Sequence, residues 1–537
     1  MTELTALPVK AEDMKNLFDF YLKYWLPLGE LLTEMEREGM LVDQDHMKNI
    51  ELAANNDKFR FINEFKSWAL SIDSNLNSFN PDSNAQLQQF LYAPFEKQSP
   101  GEQGDDGDEV VKKSANVSLK GQTFYPQERT FVIDNCEKVD GKKKFEYLHV
   151  KGLGLAPSGF TVSGMPSVDA KALKVLSGDP AAGKYGTAFE HFSGKGQEEL
   201  GKGACYAIES LVKYKATETL LNSFIYPLMQ LVDSESRIHY SLNINTETGR
   251  LSAKKPNAQN QPALDKDKYK IRKAFRARAG NTLIVADYGQ LELRLLAHIT
   301  SCKSMIEAFE AGGDFHSRTA LGMYPEIKEA VKNKTVILEW DNKDGPPPAP
   351  LLKNVFAAQR KTAKTMNFSL AYGKTAHGFA KDWDCSIEEA SEALRLWYSD
   401  RKEVEVWQES VKKIAVQKGF TRTMMGRYRK LTDLVRNKVM SKRTHGLRAA
   451  INTPIQGSAA DIVTAAMVRI FYSARLKELG WKMLLQIHDE IILEGPKESA
   501  EEALSIVKAL MSAPVDNELK IVLEVDAKIA ENWYDAK

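Results

Sequence analysis

Two aspartates stand where apolar runs break off. Thr282-Leu-Ile-Val-Ala-Asp287 is a β-prone run that ends at Asp287, and a helical pattern follows with Leu291, Leu295 and Ile299 on one face. Far along the chain, Lys482-Met-Leu-Leu-Gln-Ile-His-Asp-Glu-Ile-Ile-Leu-Glu494 sets His488, Asp489 and Glu490 between two apolar runs, the pattern of a hairpin with Asp489 at its turn. Two strand-end carboxylates brought together can hold a pair of divalent cations about 3.5–4 Å apart, one beside an attacking hydroxyl and both beside displaced phosphate oxygens. Mg²⁺ suits such a site because it binds through few carboxylates and keeps waters and substrate phosphates as its other ligands. Each aspartate alone also has a plainer reading, Asp287 as a helix cap and Asp489 as a turn residue.

A third segment supplies what a triphosphate needs. In Gln359-Arg-Lys-Thr-Ala-Lys-Thr-Met-Asn-Phe-Ser-Leu-Ala-Tyr-Gly373, the residues Arg360, Lys364, Phe368 and Tyr372 recur every four positions, which puts two cations and two rings along one helical face. The cations can clamp phosphates, and the rings can lie against sugar and base. The alternative is a helix with solvated cations and core aromatics. Gly373 is the expected helix stop. Two polar motifs accompany it. NTETGRLSAKKPNAQNQP brings Arg250, Asn257 and Gln259, which can donate to phosphates or minor-groove acceptors. RAAINTPIQGSAAD sets Arg448 and Asn452 one turn apart, with Gln456 beyond the proline. Each motif is also consistent with a well hydrogen-bonded loop.

These groups act together only if a large fold converges them, and 537 residues exceed what one hydrophobic core usually holds. A hydrophobic fraction of 43% and a charged fraction of 27% predict a folded, soluble chain and exclude a disordered one. The net charge of +1 conceals a basic stripe from Arg250 to Arg278 with ten Lys/Arg and two Asp, which suits a phosphate backbone or a solvated basic face. Four cysteines at 136, 205, 302 and 385 have no zinc-knuckle or disulfide-framework spacing, so a reducing compartment is expected. No apolar run reaches the roughly 18–20 residues that cross a bilayer, and MTELTALPVKAEDMKNLF resembles neither a secretory signal nor a transit peptide.

Helical spacing covers about 17 to 70 and returns from about 197 to 232, while 114 to 165 mixes β-prone runs such as Thr130-Phe-Val-Ile and Tyr147-Leu-His-Val with glycine turns. The Gly- and charge-rich run between Pro94 and Lys113 and the Pro-rich run at 341–350 predict loops.

In this order, TGRLSAKKPNAQNQP, VADYGQLELR, RKTAKTMNFSLAYG, NTPIQGSAAD and QIHDE resemble the motif series of family A DNA polymerases, from about Trp25 to the ENWY near the end. SLNINTETGRLSAKKPNAQNQP, AGGDFHSRTA, KELGWKMLLQIHDEIILEGP and VDAKIAENWY are most similar to the plant and protist organellar members. The resemblance implies an α+β right-hand fold: an N-terminal remnant at 1–24, a thumb at 25–240 with insertions at about 93–165, palm at 241–300, fingers at 301–440 with an insertion at about 335–352, and palm again at 441–537.

It further implies template-directed addition of dNTPs to a primer. Asp287, Asp489 and the Tyr288 carbonyl match the holders of two Mg²⁺ ions, with Mn²⁺ able to substitute, and Glu490 matches the acidic residue beside them. Lys364, Arg360 and His316 match the triphosphate contacts. Phe368, Tyr372 and Gln290 match the nucleotide contacts, and Glu292 the residue that excludes the ribose 2′-hydroxyl. Arg250, Asn257, Gln259, Arg448, Asn452, Gln456 and His488 match contacts to primer, template or minor groove. Gly289 stands where the family usually has serine, and a looser strand-to-helix turn is expected. A monomer working on primer-template DNA is expected in a mitochondrion or plastid, or in the cytoplasm of a phage-infected host. Replisome proteins such as a helicase or single-strand-binding protein are candidate partners, and no membrane is. With a thumb starting near residue 25, no 3′→5′ exonuclease is expected in this chain. The competing readings are a single-subunit RNA polymerase, against which Glu292 argues, and a non-catalytic DNA-binding protein, against which the intact carboxylates argue.

Overall fold

A computed structural model describes residues 17–98, 124–139, 142–257, 259, 261–262, 267–312, 314–338, 340, 346–383, 385–516 and 519–536. The loop expected after Pro94 lies outside them from residue 99, as do 1–16 of the N-terminal remnant and 341–345 of the Pro-rich run. The chain forms two units, one from residues up to Gln44 together with Leu231 onward, the other from Asp45–Gln230. Helix α1 (Leu26–Glu38), expected with the thumb, belongs to the first. The reason is packing: its Leu28, Leu31 and Met35 are buried with the strands and helices of the palm segments.

The 45–230 unit is helical, with a β-hairpin. Helix α2 (Gln44–Ile72) buries Phe61, Phe65 and Ala69 with α3 (Asn84–Tyr92), whose Ser83 cap accepts from the Gln86 amide at 3.4 Å. The β-prone runs pair: β1 (Glu128–Val139) and β2 (Lys142–Lys151) are antiparallel with Thr130 opposite His149 and Val132 opposite Tyr147, and Leu148 and Val150 enter the core. The expected helix after Gln197 is α4 (Glu198–Leu220), which continues through a π turn to Gln230.

In the other unit, β3 (Asn281–Tyr288) leads into α5 (Leu291–Thr300). The fingers segment carries α6 (Phe315–Met323) and α7 (Ala357–Ala371), then a short hairpin of β4 (Phe420–Arg422) and β5 (Tyr428–Lys430). Helices α8 (Met440–Asn452) and α9 (Ser458–Phe471) precede β6 (Lys482–Ile487), β7 (Glu490–Pro496) and β8 (Val525–Ala530). The four-stranded sheet has the order β6-β7-β3-β8, all antiparallel. Its central strand β3 is a continuous apolar run because both faces are covered. Ile284, Ala286 and Tyr288, two residues apart and so on one face, share one buried core with residues of α5 and α9 and of the helix Ala500–Ser512.

One buried ion pair ties α1 to this sheet. The Arg237 guanidinium donates to the carbonyls of Glu38 (2.6 Å) and Gly39 (2.9 Å) and to the Glu494 carboxylate (3.3 Å), which also accepts from the Arg278 amide (2.8 Å) and the Asn281 side chain (3.1 Å). Both side chains are almost fully buried. Removing one partner strands a charge out of water, so Glu494→Ala should lower the free energy of unfolding by about 3–5 kcal/mol, while Arg237→Met with Glu494→Leu should recover most of it. Urea unfolding of the parent and the two variants checks this.

Candidate active site

Strand β3 delivers Asp287 to its end, and the β6–β7 turn delivers Asp489 beside it. Asp287 pairs in register with Glu490, and the Tyr288 amide donates to the Asp489 carbonyl at 3.2 Å. The cap reading of Asp287 does not hold, because α5 begins after Gln290, a left-handed residue (φ 55°, ψ 42°) without a side-chain cap. Burial, with Glu292 and Asp287 as negative neighbours, pushes the Asp489 carboxyl up to about 7 against the pull of Arg250. An anion so disfavoured gains most from a cation at its side. Among the described residues no three His, Cys, Asp or Glu side chains converge into an all-protein cage. The residues expected to hold a metal, Asp287, Asp489 and the Tyr288 carbonyl, would make a sparse oxygen set of the kind that suits Mg²⁺ completed by water and substrate oxygens. The Tyr288 ring is not a donor, since it is buried with its hydroxyl on the Met511 carbonyl (2.8 Å).

Glu490 is buried and accepts the Trp533 indole N–H at 2.6 Å, and the Arg272 guanidinium lies 4.3 Å over that indole. The sequence pattern gave no warning of Trp533, which lies more than forty residues from Glu490. Arg272 also corrects the basic stripe: it donates to the Pro262 carbonyl (3.1 Å), Arg276 pairs with Asp43 (2.9 Å) and Arg278 with Glu235 (3.7 Å). Part of that charge is therefore used within the fold.

Glu292, in the first turn of α5, is buried and paired with Arg250. Burial raises its carboxyl pKa and Arg250 opposes the rise. Arg250, His488 and Asp489 line one pocket with Gly249 and Gln486. His488 is exposed and left-handed (φ 53°) in the turn. Gln259 reaches the same hairpin, donating to the Gln486 carbonyl at 3.1 Å, and its amide is held by the exposed Asn257 (3.1 Å). The turn into α5 is pinned at Gly289, whose amide donates to the Glu524 carbonyl (2.9 Å) and whose carbonyl accepts from Arg294 Nε (2.8 Å). The left-handed backbone sits on Gln290, whose Oε1 is buried without a hydrogen-bond partner. A Cβ at Gly289 would meet Glu524 atoms at 3.6 Å, ordinary contact, so the turn has room for the serine usual in the family.

On α7, Arg360, Phe368 and Tyr372 are half-buried along one face and Lys364 is exposed. The rings of His316, Phe368 and Tyr372 run in series at 5.8 and 6.5 Å. Gly373 ends the helix in the left-handed region (φ 71°), where a Cβ would strike Ile451 at 2.6 Å. Arg360 is already engaged by Asp314, at 3.0 Å through Nη2, and Asp314 also caps α6 by accepting from the Ser317 amide (3.1 Å). Asp314, not anticipated from sequence, was visible there only as an N-cap in GGDFHS.

Asn367 fixes the His316 tautomer. The Trp397 indole, a donor only, points at Asn367 Oδ1 (2.8 Å), so the Asn367 amide donates to His316 Nδ1 (3.1 Å) and the ring proton sits on Nε2. Burial, aided by Arg360 and Lys364 and opposed by Asp314, takes the imidazole down to about 4. His316 therefore offers a neutral N–H, not a charge. Between α8 and α9, Pro454 sits in a π turn (Thr453–Gly457). It cannot donate to the Ala450 carbonyl, and the Thr421 hydroxyl does so instead at 3.1 Å. Arg448, Asn452 and Gln456 are half-buried around this break.

Two expectations follow from the site. Gly289→Ser should leave the unfolding free energy within about 0.5 kcal/mol of the parent, measured by urea unfolding. His316 resists protonation when folded but takes a proton near pH 6.5 when unfolded, so its contribution is complete above pH 6.5 and is lost as pH falls toward about 4. Relative to His316→Gln, the parent chain should lose on the order of 3 kcal/mol across that window. A difference independent of pH would mean that His316 titrates alike in both states.

The DNA polymerase family A profile matches residues 193–335 and 349–535. DNA polymerase I B, chloroplastic/mitochondrial, of Arabidopsis thaliana is 46% identical over 580 residues, covering 97% of this chain and 54% of the relative. The thermostable DNA polymerase I of Thermus aquaticus is 34% identical over 362 residues, covering 67% of this chain and 40% of the relative. The chain thus spans about half the length of its plant relatives. Among solved structures, the POL domain of Pol1 from M. smegmatis, in complex with DNA primer-template and dNTP, matches 96% of this chain and 70% of its own with a TM-score of 0.68 and 25% identity. The α+β architecture is that of the right-hand polymerase fold, and the chain belongs to the family A DNA polymerases.

Proposed function

We propose that this chain is a template-directed DNA polymerase that extends a primer 3′ end with dNTPs. The observation that carries the reading is the meeting of Asp287 and Asp489 at one strand end, within the field of Arg250 and Glu292. A bound pair of Mg²⁺ ions supplies an activated 3′-oxygen and charge neutralisation for the displaced phosphates. The chain's own side chains do the rest. Lys364 presents an exposed cation to the triphosphate, His316 a neutral Nε2–H, and Arg360 a guanidinium whose aim Asp314 sets in advance. Phe368 and Tyr372 offer ring surface to the incoming sugar and base. Glu292, buried at the start of α5, occupies the space a ribose 2′-hydroxyl would need, and Arg250 holds it there while facing the primer end. Base pairing selects the nucleotide, and primer-template DNA rests on Arg250, Asn257, Gln259, Arg448, Asn452, Gln456 and His488.

An organellar place of action, mitochondrial or plastid, is part of this reading, supported by the names of the plant relatives. Primer extension with Mg²⁺ and dNTPs tests it. Asp489→Ala should reduce extension at least 10³-fold with primer-template affinity within about threefold of the parent, as removal of a group that acts on the reacting phosphate requires. Retained extension would remove Asp489 from the chemistry, and lost DNA affinity would make it a structural residue.

A further inference from the structure

We infer that Arg427 is a positioning residue for sugar selection: it fixes the Thr248–Arg250 turn so that Arg250 meets Glu292. The inference rests on the proposed role of that pair. Arg427 lies just ahead of β5 in the short hairpin and makes no contact with Arg250 or Glu292 through its guanidinium hydrogen bonds. Instead it spans two elements, with Nε on the Asp461 carboxylate of α9 (2.5 Å) and Nη2 on the carbonyls of Thr248 (2.8 Å) and Gly457 (3.1 Å).

The fit around this guanidinium is close. Gly249 is left-handed (φ +84°), and a Cβ there would fall 2.4 Å from Arg427 Nη1 and 2.6 Å from Cζ, so the turn lies flat on the guanidinium plane. A Cβ at Gly457 would meet the Thr248 carbonyl at 3.2 Å. The turn is closed from within by the Thr246 hydroxyl on the Arg250 carbonyl (2.7 Å). It is gripped a second time from the same hairpin, where Arg429 pairs with Glu247 and donates to the Thr453 hydroxyl (3.2 Å).

Stability alone does not account for this arrangement. Asp461 is 2% exposed and its Oδ2 has no hydrogen-bond partner, and a buried ion pair of that kind is seldom more stabilising than an apolar pair of similar volume. What a planar fork adds, and an ammonium or an apolar side chain cannot, is simultaneous direction toward three acceptors. Those acceptors fix where the Thr248 carbonyl lies, and Arg250 follows two residues on.

Three variants of the full chain test this, Arg427→Met, Arg427→Lys and Glu292→Ala, together with the Arg427→Met/Glu292→Ala double variant. The readouts are dNTP-over-rNTP discrimination as the ratio of kcat/KM values, and amide exchange in the peptide covering 245–251. Arg427→Met should speed exchange in that peptide and cut discrimination at least tenfold. Arg427→Lys, which keeps the charge opposite Asp461 but not the fork, should fall between it and the parent even where the Met variant is poorly folded. Because the effect passes through Glu292, the double variant should discriminate no worse than Glu292→Ala. Unchanged exchange and discrimination in both Arg427 variants, or a double variant whose losses multiply, would overturn the inference while Glu292 keeps its role. Unchanged discrimination in Glu292→Ala would instead sink the reading of the gate itself, and the inference with it.

Discussion

The site depends on helix α5 being shared by two cores. Residues 291 to 297 are buried without interruption. Leu291 and Leu295 pack with β3, α9 and the α1 face, while Leu293, Leu296 and Ala297 pack with Met366 and Leu370 of α7 and with Ile451 and Ile455 around the proline break. Each leucine, isoleucine or methionine among them contributes on the order of 1.5–3 kcal/mol when fully buried. The helix can leave neither core without opening it. Asp287, four residues before Leu291 at the start of α5, and the cation-aromatic face of α7 are thereby referred to one helix.

The same burial makes the charges near it expensive. Glu292 and Arg294 sit inside a stretch that is otherwise apolar, and each is answered: Glu292 by Arg250, Arg294 by the carbonyls of Gly289 and Val522 and by Glu524. Asp489 has negative neighbours in Glu292 and Asp287 and only Arg250 to oppose them, and burial adds to the cost of its anion. Such an imbalance marks functional sites, where stability is given up for a group that is satisfied only when its ligand arrives.

The parts of this arrangement that follow local rules were legible in the sequence. Asp287 and Asp489 stood out because apolar runs stop there, and the α7 face because four residues recur at one helical spacing. Asp314, Asn367, Trp397, Trp533 and Arg427 did not stand out, since each acts across tens to hundreds of residues on a partner no periodicity points to. The basic stripe was read too simply for the same reason, as carboxylates from outside it, Asp43 and Glu235, take up part of its charge. Amphipathic spacing shows that α1 has an apolar face, not which core receives it, and that core is the one shared with the palm segments.

The π turn at Pro454 has a further consequence, which concerns rotation. A straight α-helix turns 100° per residue, so the longer π turn gives α9 a different angular phase from the one α8 would pass on. Asp461 faces Arg427 because of that offset. A chain that lost the proline and rewound into a regular helix would keep every motif residue in sequence while turning the carboxylate side of α9 away from the hairpin. The spacing between Asn452 and Asp461 is thus a gear setting as well as a distance, and it has to be inherited as a unit with the hydroxyl of Thr421 that makes the proline tolerable.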